Sequence, residues 1–174
     1  SLKPDARVKW IASWVRQNMA PNGKWNDRRL IIFTEYQDTR LWLQNRLLEL
    51  LDDLDPERHV ASLTGITSPE DRERIKFAFN CNPAENPLRF LICTDAAREG
   101  INLQKDFDAV IHYDLSWNPT RHEQREGRVD RYGQETKKVR VLTYYGTDNQ
   151  IDGVVLDVLL RKHRTIRSSL GISV

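Results

Sequence analysis

Residues 30–51 read LIIFTEYQDTRLWLQNRLLELL, and this stretch decides the fold. Leu30-Ile31-Ile32-Phe33 is a short continuous apolar run of the kind a strand buried on both faces shows. Gln37 to Leu51 follows as a helix, with Leu43, Leu47, Leu50 and Leu51 at helical spacing. Leu41, Trp42 and Leu43 are consecutive, so at least one of them is left outside the buried stripe. Strand followed by helix is the unit from which parallel sheets are built.

Working outward, the plan repeats. His59 to Leu63 reads as a strand and Thr64-Gly65 as a turn. Ser68-Pro69-Glu70-Asp71 then has the order of an N-cap, a proline at the first helical position and acids in the first turn, opening a helix to Asn80. Strands are expected at Arg89–Cys93, Ala109–Tyr113 and Lys138–Tyr145, with a capped helix from Thr120 and a final helix from about Asn149 to Arg167. Upstream, Asp5 to Met19 carries Val8, Ile11, Trp14 and Val15 on one stripe, before a polar linker at Pro21-Asn22-Gly23-Lys24. The alternation predicts an α/β fold, a parallel sheet with helices on both faces. It divides into a helix and linker over residues 1–27 and a lobe over residues 28–171. Ligands of such sheets bind at the carboxyl ends of the strands, so the loops after Phe33, Leu63 and Cys93 draw attention first.

Composition narrows the class. Of 174 residues, 39% are hydrophobic and 30% charged, which is globular and neither disordered nor collagenous. No apolar run is long enough to span a membrane, and the first residues lack a signal-peptide core. The chain is therefore expected in the cytoplasm, with the nucleoid or the nucleus as the compartment according to its source. A start at Ser1 without an initiator Met suggests a piece of something longer. The net charge of +2 excludes a globally basic nucleic-acid binder, so any basic site is local. Cys81, Cys93 and the four histidines match no zinc-ligand spacing, and no metal site is expected.

Residues 120–134, TRHEQREGRVDRYGQ, carry the most chemistry. Thr120 and Glu123 have capping-box spacing, and Gly133 can end the helix. At 3.6 residues per turn, Gln124, Arg128 and Arg131 fall on one narrow face, with Gly127 beside it to admit a bulky partner. Two planar guanidiniums match phosphate oxygens, and Gln can orient a water, so the stripe suits the end of a triphosphate. An RxxR pattern alone fits a solvated basic face better; the neighbouring motifs reverse that preference. Thr94-Asp95-Ala96-Ala97-Arg98-Glu99-Gly100-Ile101-Asn102 leaves a buried strand directly. The Thr94 hydroxyl can hold a nucleic-acid phosphate, Gly100 permits close approach, and Asn102 can reach a ribose hydroxyl. Helix capping by Thr94 or Asp95 is compatible with these contacts.

These two segments, in this order, resemble motifs V and VI of superfamily 2 helicases and translocases. Glu99-Gly100-Ile101-Asn102-Leu103-Gln104, Tyr113 to Pro119 and Arg131-Tyr132-Gly133-Gln134 resemble the second RecA-like lobe of Swi/Snf-type ATPases. Leu30 to Gln37 is similar to motif IV, Leu63-Thr64-Gly65 with Arg72 to Phe79 to motif IVa, and Ile151 to Gly171 to the closing helix. The resemblance implies a P-loop NTPase type of fold, as the lobe that lacks the P-loop. It implies that Arg128 and Arg131 meet the γ-phosphate, with Gln124 at the nucleotide and Gly100, Asn102 and Asp95 at the nucleotide edge. Thr34, Thr64, Gly65 and Thr94 would contact the DNA backbone. Trp117 would couple DNA binding to hydrolysis, with ordinary packing at a strand end as the equal alternative.

Arg98-Glu99 before Gly100, the glycine at 127 and Asp130 depart from eukaryotic remodellers and stand nearer to bacterial members, including RNA-polymerase-recycling and phage-defence types. No GxxxxGK[ST] occurs, so ATP and Mg²⁺ would be bound mainly by a separate N-terminal RecA-like lobe of the same protein. The 174 residues alone are expected to hydrolyse no ATP. The implied activity is DNA-dependent ATP hydrolysis coupled to translocation on double-stranded DNA. A strand-separating helicase and a non-hydrolytic DNA-binding scaffold are the alternatives. Arg161, Lys162, Arg164 and Arg167 read as a solvated face more readily than as a docking surface.

Overall fold

A computed structural model describes residues 2–97, 108–113, 137–144 and 153–160, with side-chain surroundings for 6–97 and 108–113. In chain order the elements are α1 (Leu2–Met19), β1 (Leu30–Thr34), α2 (Gln37–Leu50), β2 (Val60–Leu63), α3 (Pro69–Asn80), β3 (Phe90–Thr94), β4 (Ala109–His112), β5 (Lys137–Tyr144) and β6 (Gly153–Leu160). They form one sheet in the order β2-β3-β1-β4-β6-β5. The first four strands in that order are parallel. β6 runs antiparallel to β4, and β5 antiparallel to β6.

Strand alternation sorts the core into two layers. Leu30 and Ile32 of β1, Phe90 and Ile92 of β3, and Ala109 and Ile111 of β4 pack with α1 and α2. There they meet Val8, Ile11, Trp14 and Val15 of the α1 stripe and Leu43 and Leu47 of α2. Ile31, Phe33, Leu91, Cys93 and Val110 face the other way, onto Ile75 and Phe79 of α3. β1, central among the parallel strands, is buried along its whole length, which is why its sequence reads as a continuous apolar run rather than alternating. Helices thus cover both faces, as expected. α1 packs into the same core as the sheet, and Trp14 is fully buried while Trp10 lies partly buried against it.

Local signals operate as the sequence predicts at α3. Ser68 accepts a hydrogen bond from the Asp71 amide at 3.1 Å, and Pro69 stands at the first helical position. On α2, Leu43 and Leu47 are buried while Leu41 and Trp42 remain exposed.

One expectation is overturned. A helix from Asn149 to Arg167 was expected, but residues 153–160 form the strand β6. GVVLDVLL is a short apolar run whose spacing fits a helix stripe and a buried strand equally. Its three valines favour the extended form, and β4 and β5 supply partners on both sides. The sheet is accordingly mixed beyond β4. The basic residues 161–167 lie outside the described residues.

Candidate nucleic-acid interface at the strand ends

The parallel register brings three threonines level. Thr34 ends β1 and pairs with Thr94, which ends β3. Leu63 pairs with Cys93, so Thr64, one residue past β2, comes level with Thr94. With strands about 4.8 Å apart, three hydroxyl-bearing residues from adjacent strands stand in one row at the carboxyl edge. Tyr113 extends the row beyond Thr34, its amide donating to the Phe33 carbonyl at 2.9 Å.

Each position is fixed differently. Thr64 sits in a self-bonded turn: its amide donates to Thr67 Oγ1 at 2.9 Å, and its own Oγ1 accepts from the Ile66 amide at 3.3 Å. Ile66, at the tip of that turn, is 86% exposed. Gly65 approaches the next loop closely, since a Cβ there would lie 3.1 Å from the Ala96 Cβ. Thr34 is wholly buried and hydrogen-bonded or otherwise engaged. Thr94 is 3% exposed, and its Oγ1 makes no hydrogen bond among the described residues. A buried hydroxyl without a partner is costly, so Thr94 Oγ1 is the group of the threonine row that calls for an explanation.

Two arginines brace the edge, and sequence reading assigned a role to neither. Arg72 of α3 donates from Nη1 to the Ala97 carbonyl at 3.0 Å and from Nη2 to the Thr64 carbonyl at 3.3 Å. Arg7 of α1 donates to the Tyr113 carbonyl at 3.3 Å and lies 4.5 Å above the centre of the Tyr113 ring. The available signal for Arg72 was its place in the first turn of a helix, where a cation opposes the helix dipole and needs another reason to be there.

The edge holds no activated nucleophile among the described residues. Burial pushes the Cys93 thiol far up, against a weaker opposing effect of the Arg72 charge, so it stays protonated and serves as core. His112 is buried with its ring stacked on Phe33, 6.0 Å between centres. No group of three or more His, Cys, Asp or Glu able to hold a metal ion occurs among the described residues. No helix among them is long and apolar enough to cross a membrane.

Of the expected site residues, Thr34, Thr64, Gly65 and Thr94 come together on this edge. Asp95 opens the tight turn Asp95–Ala97 that follows β3 and is partly buried. Gly100, Asn102, Trp117, Gln124, Arg128 and Arg131 lie outside the described residues.

The model of the helicase conserved C-terminal domain matches residues 13–133. An ATP-dependent helicase of Bacillus subtilis (strain 168), YqhH, itself uncharacterised, is 34% identical over 83% of this chain and 24% of its own length. The RNA polymerase-associated protein RapA of Pectobacterium atrosepticum is 30% identical over 81% of this chain and 13% of its own. The Zorya protein ZorD of Escherichia coli O139:H28 is 30% identical over 88% and 14%. The chain thus spans about a quarter or less of the length of these relatives. Among solved structures, the C-terminal part of the Fun30 ATPase domain superposes with a TM-score of 0.53 at 23% identity, over 74% of this chain and 37% of that one. That likeness supports the RecA-like α/β fold.

Proposed function

The chain belongs to the helicase C-terminal domain family of Swi/Snf-type ATP-dependent helicases, and from that premise we propose that it is the second lobe of a DNA-dependent ATPase that translocates on double-stranded DNA. The observation that carries the nucleic-acid half is the row of Thr34, Thr64 and Thr94, with the Thr94 hydroxyl buried and unbonded among the described residues. Hydroxyls and backbone amides at strand ends are the groups that take phosphate oxygens without reading sequence. A phosphate oxygen would accept the proton that Thr94 Oγ1 gives to no protein atom among the described residues.

The hydrolytic half rests on the sequence pattern. Gln124, Arg128 and Arg131 share one helical face in the expected helix, and Arg128 and Arg131 would stabilise the charge that develops on the γ-phosphoryl group. Such an arginine is worth about 10³ to 10⁵ in rate. Gly100, Asn102 and Asp95 would form the nucleotide edge, and Trp117 would link DNA contact to hydrolysis. ATP and Mg²⁺ would be held mainly by an N-terminal RecA-like lobe of the same protein, and closure of the two lobes would exclude water from the site. Residues 28–171 would constitute the lobe, with residues 1–27 as its preceding helix and linker. RNA polymerase as a protein cargo is an expectation that the RapA likeness supports, and a defence complex as cargo and a place on the nucleoid are expectations of the sequence resemblance alone.

The test is ATP hydrolysis by the full-length protein alone and with duplex DNA, single-stranded DNA or RNA. Stimulation by duplex DNA above the others is expected. Arg131→Ala should lower stimulated turnover by about a thousandfold and leave DNA affinity within about twofold. Preference for RNA, or hydrolysis unchanged in Arg131→Ala, would overturn the reading. Absence of turnover under every condition would leave a scaffold in its place.

A further inference from the structure

The geometry points to Arg72 as a positioning residue that locks the Thr64-Gly65 turn to the Asp95–Ala97 turn, so that the contacts on two strands bind nucleic acid as one preorganised unit. This rests on the nucleic-acid reading above and adds to it the device that sets the spacing.

Arg72 follows Pro69-Glu70-Asp71 in the first turn of α3. A cation there is disfavoured by the helix dipole, and an arginine at a helix surface ordinarily extends into water. Arg72 is instead only partly exposed, and its guanidinium reaches two main-chain carbonyls on different loops, Thr64 O and Ala97 O. The planar fork is what makes this possible: donors in fixed geometry span two acceptors at once, which a lysine ammonium on a flexible stem does not reproduce. The same two loops also touch where Gly65 faces Ala96, close enough that a Cβ at 65 would press on the Ala96 Cβ at 3.1 Å. Thr94, with a hydroxyl unbonded among the described residues, leads directly into one of the two loops, and Thr64 belongs to the other. A backbone phosphate pair meeting both loops therefore finds them already spaced. Without the bridge, that order would have to be imposed on binding, at a cost in affinity.

A bridge and a direct phosphate ligand make different predictions about salt. A side chain that neutralises a phosphate contributes about one unit to the slope of log affinity against log salt, whereas a positioning residue contributes none. The experiment uses the full-length protein and a labelled DNA duplex, with affinity measured by fluorescence anisotropy across a salt series. Thermal melting of each variant reports folding.

Arg72→Ala is expected to weaken binding about tenfold with the salt slope unchanged. Arg72→Lys, which keeps the charge, is expected to recover less than half of that loss. A slope lower by about one in Arg72→Ala, or full recovery by Arg72→Lys, would make Arg72 a phosphate ligand and overturn the proposal. Affinity within twofold of the parent in both variants would also overturn it. Should Arg72→Ala not fold, Arg72→Lys decides alone, with at least a threefold loss expected. Thr94→Val separates the two levels. If it weakens binding while both Arg72 variants do not, the bridge falls and the interface stands. If it binds like the parent, the interface falls and the bridge with it.

Discussion

The two ends of the parallel sheet are built from opposite materials. The residues that precede the four strands are His59, Arg89, Arg29 and Asp108, while those at the far end are Thr64, Thr94, Thr34 and Tyr113. At the amino end the charged groups are consumed by the protein itself. Arg29 has no exposed surface and donates to the carbonyls of Ala78, Phe79, Cys81 and Leu88, finishing the C-terminus of α3. Its amide meets Asp108 Oδ2 at 3.0 Å. Arg89 donates to the carbonyls of Asn26, Pro83, Asn86 and Leu88. At the carboxyl end three of the four groups are short, and the Thr94 hydroxyl makes no hydrogen bond among the described residues. Strong donors turned inward hold loops together, whereas the row at the carboxyl end carries hydroxyls in place of guanidiniums. The contrast shows why arginine content alone does not locate a phosphate site in this chain.

The contrast is broken most directly at Arg29. Arg29→Met removes the donor to four carbonyls, each costing about 1–3 kcal/mol if left buried and unbonded. A loss of at least about 3 kcal/mol is expected in urea unfolding. Unchanged stability would mean that the amino end is not the structural one. Thr94→Val probes the other end with a smaller effect and the opposite balance. Removing a buried hydroxyl that is unbonded among the described residues should leave the unfolding midpoint unchanged or slightly raised, while DNA affinity drops about fivefold, the worth of one net hydrogen bond. Loss of stability without loss of binding would assign Thr94 to the core.

The smallest effect concerns pH. Burial lowers the pKa of His59 below its ordinary 6.5, only partly countered by the bond between Nδ1 and the Pro87 carbonyl at 2.6 Å, with the Arg89 charge adding to the lowering. The folded form thus prefers the neutral ring. The stability it contributes is complete above pH 6.5 and is lost as the pH falls towards the lower folded value. The melting temperature should fall on acidification through that window, and less steeply in His59→Gln. Equal slopes would remove His59 from the amino-end lattice.

Most of the fold was legible because its signals were local and agreed. β1, β3 and β4 showed as apolar runs and β2 as a strand before a Thr-Gly turn, the α1 stripe and the Leu43–Leu47 stripe matched their buried faces, and Ser68-Pro69 announced α3. β6 failed because a short run such as GVVLDVLL carries no period of its own, and only pairing with β4 and β5 decides it. The threonine row was legible through the rule of carboxyl strand ends and the family resemblance. The bracing arginines were not, because Arg72 and Arg29 act on carbonyls far away in sequence, and nothing in the residue type says whether a guanidinium faces water, phosphate or main chain.

The strand order also sets a timetable. β1 lies between β3 and β4, both of which are synthesised only after α2, β2 and α3. As the chain leaves the ribosome, the wholly buried strand β1 therefore waits with both edges open. Until Phe90–Thr94 emerges it can be sheltered only by the flanking helices α1 and α2. Long-range parallel pairing is the slow and aggregation-exposed step of folding. Until β3 and β4 are made, the Leu-Ile-Ile-Phe run of β1 has neither of its parallel partners.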